Sequence, residues 1–143
     1  MSDHDLPAPQ VGLQHSETMT VEEKHVVPAL AASWPDLASM PPAFATAMMI
    51  AFMEYTCIQG LKPYLTDAQR TLGIHVDVSH LAATPIGMKV TATVELIETD
   101  GRILTFKVRC EDEAGPIGEG THRRAIVDGD RFVAKLNQKA GAA

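Results

Sequence analysis

Residues 44–61, FATAMMIAFMEYTCIQGL, contain one charged side chain, Glu54, among apolar and small residues. Apolar residues occur on nearly every side of the helix that this stretch would form, which predicts a buried helix over about residues 42–61 with its end near Gly60. An ionised side chain buried without a partner costs roughly 3 to 5 kcal/mol, so Glu54 needs a partner or must become neutral. Either condition is typical of an active site.

Length and composition predict one globular domain. The chain has 143 residues, of which 45% are hydrophobic, enough for one well-buried core. We place the domain at residues 11–139, between a disordered tail at 1–10 and a short tail at 140–143. The net charge of -6 argues against nucleic acid or an anionic membrane as the main partner, because both attract basic surfaces. The N-terminal residues MSDHDLPAPQ lack the features of a secretory signal, and no apolar run has the length of a membrane span, so we expect a cytoplasmic protein.

The cysteines and histidines predict neither a disulfide nor a metal site. Cys57 lies in the apolar helix and Cys110 in a strand-like segment, which is typical of small buried thiols in a reducing compartment. No CxxC or HExxH spacing occurs, so we expect no bound metal.

The remainder of the chain is predicted to form mainly β-strands. A first edge strand is expected within residues 14–27, followed by a proline-broken loop at 31–40 that is either a lid or a plain connection. The Asp100-Gly101 pair predicts a hairpin turn between two later strands. Four strand-like segments follow the apolar helix, at 72–81, 88–98, 102–112 and 117–127, and a last helix is expected at 130–139.

One long apolar helix and about five mostly antiparallel strands have few good packing solutions. The simplest is an α+β structure in which a five-stranded antiparallel sheet wraps around the central helix, an arrangement known as the hotdog fold. Such a sheet leaves exposed edges, and the pairing of edges in a homodimer is the usual remedy.

Three polar residues are candidates for catalysis. Alternation along IHVDVSHL at residues 74–81 places His80 on the apolar face that must point toward the helix, and therefore toward Glu54. A carboxylate and an imidazole that meet there would form an acid/base or nucleophile pair. Thr46 lies two helical turns before Glu54 on about the same side. The alternatives are structural: an ion pair for Glu54, a satisfied core histidine for His80 and a helix-start residue for Thr46.

The last strand-like segment carries further candidates. Gly118 and Gly120 alternate there with His122 and Arg124 on one face, which indicates close approach of a ligand or of a neighbouring backbone. Arg124 is a candidate clamp for an anion or a carbonyl group. A row of cations on the expected last helix meets either phosphates or only solvent; it consists of Arg131, Lys135 and Lys139.

Three longer runs carry a resemblance to a known family. They are PPAFATAMMIAFMEYTCIQGLKPYL, LGIHVDVSHLAATPIGMKVTATVEL and IGEGTHRRAIV, with SHLAATP and GEGTHRR as their most specific parts. Over residues 14–139 the chain resembles the fluoroacetyl-CoA thioesterase-like family of the hotdog superfamily. The resemblance implies that Thr46, Glu54 and His80 are the catalytic residues of an acyl pocket.

The same resemblance implies partners and substrate contacts. It points to Gly73 and Arg124 as residues that touch the thioester end of the substrate, and to a homodimer with pockets at or near the subunit interface. No cofactor is implied, since CoA is part of the substrate. Family members built around a fluoroacetyl group have a phenylalanine-rich lid, whereas the comparable positions here are Leu37 and Met40. This difference argues against a narrow preference for fluoroacetyl-CoA.

We therefore expect an acyl-CoA thioesterase that hydrolyses a small or medium acyl-CoA to the free acid and CoA. Glu54 either attacks the thioester or activates water, His80 is the acid/base that helps the thiolate to leave, and Thr46 hydrogen-bonds in the pocket. A protein that binds an acyl-CoA without turnover and an enoyl-CoA hydratase are the alternatives.

Overall fold

The computed structural model describes residues 6–142. It contains two α-helices, α1 at Thr46–Leu61 and α2 at Gly129–Ala142. Its strands are β1 Gln14–Thr20, β2 Gln69–His80, β3 Lys89–Thr99, β4 Ile103–Asp112 and β5 Gly115–Asp128. All neighbouring strands are antiparallel, and they form one sheet in the order β1-β3-β4-β5-β2.

The core lies between α1 and one face of this sheet. Alternate residues of β3 and β4 are buried there, as their sequence pattern predicts. Burial of each large apolar side chain contributes roughly 1.5 to 3 kcal/mol, so this layer holds the helix and the sheet together. The predicted α+β hotdog arrangement, a five-stranded antiparallel sheet around one long helix, is confirmed. The main core side chains are Met49, Phe52, Met53, Cys57, Leu61, Val90, Val94, Leu96, Leu104, Phe106 and Val108.

β2 lies at one edge of the sheet and leaves part of its inner face uncovered. α1 packs mainly over β1, β3 and β4. Ile74 and Val76 are 52% and 42% exposed, although the alternation predicts that they pack against the helix. That prediction was wrong for these two residues, because the helix does not extend over this part of β2. A register shift between Gly73 and His75 also interrupts the pairing of β2 with β5.

α1 also has an uncovered side. Ala47, Ala51, Tyr55 and Ile58 follow one another at three- and four-residue intervals and are exposed. The prediction of a helix buried on nearly every side was therefore wrong for a single chain. A helix that is apolar all round but covered on one side presents a surface suited to association.

The segment before α1 is extended, and this delays the start of the helix. Phe44 and Ala43 form isolated β-bridges with Val26 and Pro85, so the helix begins at Thr46 and not at residue 42. The predicted first strand ends sooner than expected. Between it and α1 the chain forms three short 3-10 helices, Glu23–His25, Val27–Leu30 and Pro35–Ser39.

The chain ends lie partly beyond this description. Residues 1–5 of the predicted tail at 1–10 lie outside the described residues. Residue 143 of the predicted tail at 140–143 lies outside them as well. The predicted last helix is present and longer than expected, since α2 continues to Ala142.

Candidate active site

Glu54 is paired with an arginine. Its Oε2 atom lies 2.8 Å from Nη1 of Arg124, which stands on the inner face of β5. The arginine side chain is 3% exposed and the glutamate side chain 36% exposed. The acid is therefore accessible from one side, and the hydrogen bonds of the described residues leave its second oxygen, Oε1, without a partner.

Four hydrogen bonds fix the guanidinium group of Arg124. Nε donates to Thr71 Oγ1 at 2.9 Å, and Nη2 donates to the Thr71 carbonyl at 2.8 Å. Nη1 donates to Glu54 and, at 3.1 Å, to Nε2 of His122. One N–H of Nη2 remains for any other partner. Within one chain Arg124 holds the carboxylate of Glu54, and its role as a clamp for an anion or a carbonyl group of a ligand stays a prediction.

Gly73 lies against this cluster from β2. A Cβ atom at this position would be 3.1 Å from Glu54 Oε2, 3.2 Å from His122 Cε1 and 3.4 Å from Arg124 Nη1. A side chain there would press on all three groups, so the glycine lets them pack closely against the backbone of β2. The structure thus brings together three of the predicted site residues, Gly73, Glu54 and Arg124.

Thr46 and His80 form a second pair at the start of α1. Thr46 Oγ1 and His80 Nδ1 are 2.8 Å apart, and the tautomer of the imidazole decides which of them donates. Nε2 of His80 is buried and has no hydrogen-bond partner among the described residues. Burial lowers the pKa of His80 below its ordinary value, against a smaller opposite effect of the nearby Ala82 backbone, so the imidazole is neutral at pH 7.

The predicted contact between Glu54 and His80 is wrong within one chain. Glu54 pairs with Arg124, and His80 pairs with Thr46. Thr46 and Glu54 are eight residues apart on α1, a rise of about 12 Å along the helix axis. His80 is the last residue of β2, whereas Gly73, the neighbour of Glu54, lies in the first half of that strand. The two pairs therefore occupy different heights on the same helix.

Backbone approach accounts for the glycines of β5. A Cβ atom at Gly118 would clash with the Ser79 carbonyl, and one at Gly120 would clash with the Asp77 carbonyl, both on the neighbouring strand β2. Of the two predicted alternatives, the neighbouring backbone is the one observed. The row of cations on α2, Arg131, Lys135 and Lys139, is exposed.

Two functional neighbours were not recognised from the sequence. Alternation along β5 puts His122 on the same face as Arg124, and this pattern indicates that the two side chains meet. Thr71 carries no such signal. Its contact with Arg124 depends on the register of β2 and β5, in which Gly73 lies opposite Arg124 and Thr71 is two residues away on the same strand.

Further predictions concern the cysteines, the possible metal ligands and the helices of the described residues. Cys57 and Cys110 are free and buried, as predicted, and burial raises the pKa of each thiol to about 12, so neither is a nucleophile at neutral pH. Within residues 6–142, no group of three or more His, Cys, Asp or Glu side chains is placed to hold a metal ion. None of the helices in that range has the length and apolar character that crossing a membrane requires.

An open groove of about 640 Å³ lies beside the Glu54 cluster. Its lining includes Ile58, Lys62, Leu65 and Thr71. Thr71 belongs to both features, because it also accepts the Nε hydrogen bond of Arg124. The groove has the size of a small-molecule site.

Comparison with known proteins assigns the chain to a family. A model of the fluoroacetyl-CoA-specific thioesterase family matches residues 16–130. The fluoroacetyl-CoA thioesterase of Streptantibioticus cattleyicolor is 38% identical over 133 residues, which are 93% of this chain and 96% of that protein. A solved structure of the fluoroacetyl-CoA thioesterase FlK matches with a TM-score of 0.90 at 37% identity, covering 93% of this chain and 98% of that one.

A more distant structure supports the fold alone. A Thermus thermophilus member of the thioesterase superfamily matches with a TM-score of 0.82 at 24% identity, over 96% of this chain and 98% of that one. Both polar pairs of this chain, Glu54 with Arg124 and Thr46 with His80, lie within the range that the family model matches. Because that model covers most of the chain and a relative is 38% identical over 93% of it, the chain belongs to the fluoroacetyl-CoA-specific thioesterase family.

Proposed function

We propose that the protein hydrolyses the thioester bond of a small or medium acyl-CoA and releases the free acid and CoA. The observation that carries the proposal is the placement of Thr46, Glu54 and His80 in two polar pairs along one helix, in a chain 38% identical to a fluoroacetyl-CoA thioesterase. Each of the three has the residue type that the family resemblance assigns to the acyl pocket. The proposed reaction uses no cofactor, since CoA enters as part of the substrate.

Glu54 acts on the thioester carbonyl. In one route its carboxylate attacks the carbonyl carbon, the C–S bond breaks, and water then hydrolyses the resulting anhydride. In the other route the carboxylate takes a proton from a water molecule while that water attacks the carbonyl carbon. We place the thioester end of the substrate beside Gly73, on the exposed side of the Glu54 carboxylate. Arg124 holds the carboxylate and has one N–H left for the substrate.

His80 supplies the proton that the departing thiolate needs. Thr46 orients the imidazole through Nδ1, and Nε2 is left to exchange a proton with the substrate or with water. His80 starts neutral, takes up at Nε2 a proton that the attacking water releases, and passes it to the sulfur, so the net reaction is thioester plus water to acid plus thiol.

We further propose a homodimer formed through the free edge of β2. That edge has no strand partner, and Ile74 and Val76 on it are exposed. Tyr55 and Ile58 are exposed on α1, the helix that β2 contacts. Pairing of two β2 edges would extend the sheet and cover these apolar side chains. The free and buried state of both cysteines supports a reducing, cytoplasmic location.

Such a dimer would bring the two polar pairs together. Antiparallel pairing about a two-fold axis near the middle of β2 sets the end of one strand against the first half of the other. His80 would then face the part of the partner strand that contains Gly73, beside which Glu54 lies. We therefore propose that each active site combines Thr46 and His80 of one subunit with Glu54 of the partner subunit.

The activity is tested on a panel of acyl-CoA esters with a free-thiol readout. We expect thiol release from at least one short or medium ester. Because Leu37 and Met40 replace a phenylalanine-rich lid, we expect fluoroacetyl-CoA not to be the sole substrate. A change in enoyl absorbance without thiol would identify a hydratase, and tight binding without either signal would identify a binding protein. Both of these results contradict the proposal.

The shared site is tested with mixed dimers. Two differently tagged variants, Glu54→Gln and His80→Ala, are co-expressed, and the heterodimer is purified through both tags. Each parent homodimer should be nearly inactive, whereas the heterodimer retains one intact site and should recover about half of the wild-type rate. A heterodimer as inactive as its parents would place the whole site within one subunit.

A further inference from the structure

His122 is a buried polar group that the proposed reaction does not use directly. It is 2% exposed, at the middle of β5, and it lies opposite Phe106 on β4 and Val76 on β2. A histidine in an apolar layer needs partners for both ring nitrogens. Both nitrogens of His122 have a partner: the carbonyl oxygen of His75 for Nδ1 and Arg124 for Nε2.

The contacts of His122 define its tautomer. Nδ1 is 2.8 Å from the carbonyl oxygen of His75, and a carbonyl oxygen only accepts. Nδ1 therefore carries the proton, which leaves a lone pair on Nε2. Nε2 accepts the second Nη1 hydrogen of Arg124 at 3.1 Å. Burial and the neighbouring charge of Arg124 lower the pKa of His122, against opposite effects of the hydrogen bond to His75 and of the charge on Glu54, so the neutral form persists at pH 7.

Nη1 of Arg124 has two hydrogens, and each has one acceptor. One points to Glu54 Oε2 and the other to His122 Nε2. Because the guanidinium group is planar, fixing one of these bonds also fixes the direction of the other. The two bonds to Thr71 hold the far side of the same plane. The bond to His122 Nε2 holds the Nη1 side of the plane, and with it the direction of the bond from Nη1 to Glu54.

We infer that His122 is a positioning residue for Glu54, and that it acts by accepting one Nη1 hydrogen of Arg124 so that the other is aimed at the carboxylate. The inference rests on the proposed function, since it assigns Glu54 the reactive role. Removal of the acceptor would let the guanidinium turn and would shift the carboxylate that it holds. Misplacement of a reactive group by about 1 Å can cost roughly 10²-fold in rate.

Two substitutions of similar polarity separate this role from simple packing. In His122→Gln, the side-chain oxygen reaches the position of Nε2 and can still accept from Arg124. In His122→Asn, the shorter amide reaches only the position of Nδ1, so it can donate to the His75 carbonyl but cannot meet Arg124. Both variants are polar and non-titrating.

The kinetic test compares these two variants with wild type on the best acyl-CoA ester. We expect His122→Asn to lower kcat by roughly 10²-fold with little change in KM, because His122 is buried and does not line the open groove. We expect His122→Gln to keep at least about ten times the kcat of His122→Asn. Equal kcat values for the two variants, or a better Asn variant, would overturn the inference. Thermal unfolding of both variants shows whether each is folded at the assay temperature.

A second measurement does not depend on turnover. Nitrogen-15 NMR of wild type should show His122 protonated on Nδ1 and unprotonated on Nε2 at pH 7, and a proton on Nε2 would overturn the inference even if a variant fails to fold. Carbon-13 labelling of glutamate should show the Glu54 carboxylate signal shifted in His122→Asn and near its wild-type position in His122→Gln. If wild type hydrolyses no acyl-CoA, the proposed function fails. These NMR signals would still show whether His122 accepts a hydrogen bond from Arg124.

Discussion

The two polar pairs on α1 differ in how firmly their members are held. Arg124 makes four hydrogen bonds, is almost fully buried and holds Glu54 at 2.8 Å. His80 makes a single side-chain bond, to Thr46, and its buried Nε2 has no partner among residues 6–142. The first pair therefore fixes a charge in space, whereas the second leaves a nitrogen available for proton exchange.

This difference matches two separate requirements of thioester hydrolysis. Attack on the carbonyl needs an oxygen group at a defined position, and a rigid network supplies it. Departure of the thiolate needs a proton carrier whose protonation can change during the reaction, and a neutral imidazole with a free nitrogen supplies it. We therefore expect the rate of hydrolysis to fall most when the fixed charge is removed, less when the proton carrier is replaced, and least when the support of the fixed charge is weakened.

The largest effect is expected for Glu54→Gln. The amide keeps the shape and can still accept from Arg124, but it can neither attack the thioester nor take a proton from water. We expect kcat to fall roughly 10³- to 10⁴-fold while the fold is retained. Stopped-flow or continuous thiol assays measure the rate, and thermal unfolding checks the fold.

The matched control for this change is Glu98→Gln. Glu98 is an exposed glutamate on β3, away from the site, so its amide should leave kcat within about twofold of wild type. If the two variants were equally active, Glu54 would be a structural ion-pair partner and not a reactive group.

The proton carrier is tested with His80→Asn, which keeps a hydrogen-bonding group near Thr46 but cannot exchange a proton. We expect kcat to fall roughly 10²- to 10³-fold. A loss below about threefold would exclude His80 from proton transfer.

The pH dependence of stability gives a second test of His80. Its pKa in the folded protein is lowered from the ordinary value of 6.5, so the folded state binds fewer protons than the unfolded state in that range. The stability contribution of the neutral imidazole is present above pH 6.5 and is lost as the pH falls through the lowered pKa. Urea unfolding between pH 5 and pH 8, at about half-unit steps, should show a smaller acid loss in His80→Asn than in wild type. An identical loss in both proteins would contradict the assigned direction.

Sequence patterns predicted the elements better than the contacts between them. The apolar alternation of β3 and β4 determines which residues are buried, because α1 packs against both strands. β2 follows the same alternation but lies at the edge, where Ile74 and Val76 have nothing to pack against in one chain. Position in the sheet, and not the local pattern, decides burial there.

The predicted partner of Glu54 was wrong for a related reason. The reasoning from alternation joined the only acid of the helix to the histidine of β2, since both point into the same layer. Height along the helix separates them, and the true partner in one chain, Arg124, is 70 positions away in sequence. Its placement depends on the register that sets Arg124 opposite Gly73 on β2, and the residue pattern does not predict that register.

The smallest effect is expected for Arg124→Lys, which keeps the positive charge and removes the planar fork. Lysine can still pair with Glu54, but its single nitrogen has three hydrogens and no fork, so it cannot serve the four acceptors that Arg124 serves, two of which lie on Thr71. We expect a loss of roughly 2 kcal/mol in the free energy of unfolding, because a buried carbonyl and an imidazole nitrogen lose their donor. The less defined carboxylate position should lower kcat by roughly tenfold.

The neighbouring residue offers the control for this last change. Arg123 is exposed and points to the opposite side of β5, so Arg123→Lys makes the same chemical replacement outside the cluster. It should leave both kcat and the free energy of unfolding near their wild-type values, within about 0.5 kcal/mol for the latter. Equal losses in the two variants would mean that the charge of this strand, and not the fork of Arg124, supports the site. A loss confined to Arg124→Lys would show that the rigidity of the first pair comes from guanidinium geometry.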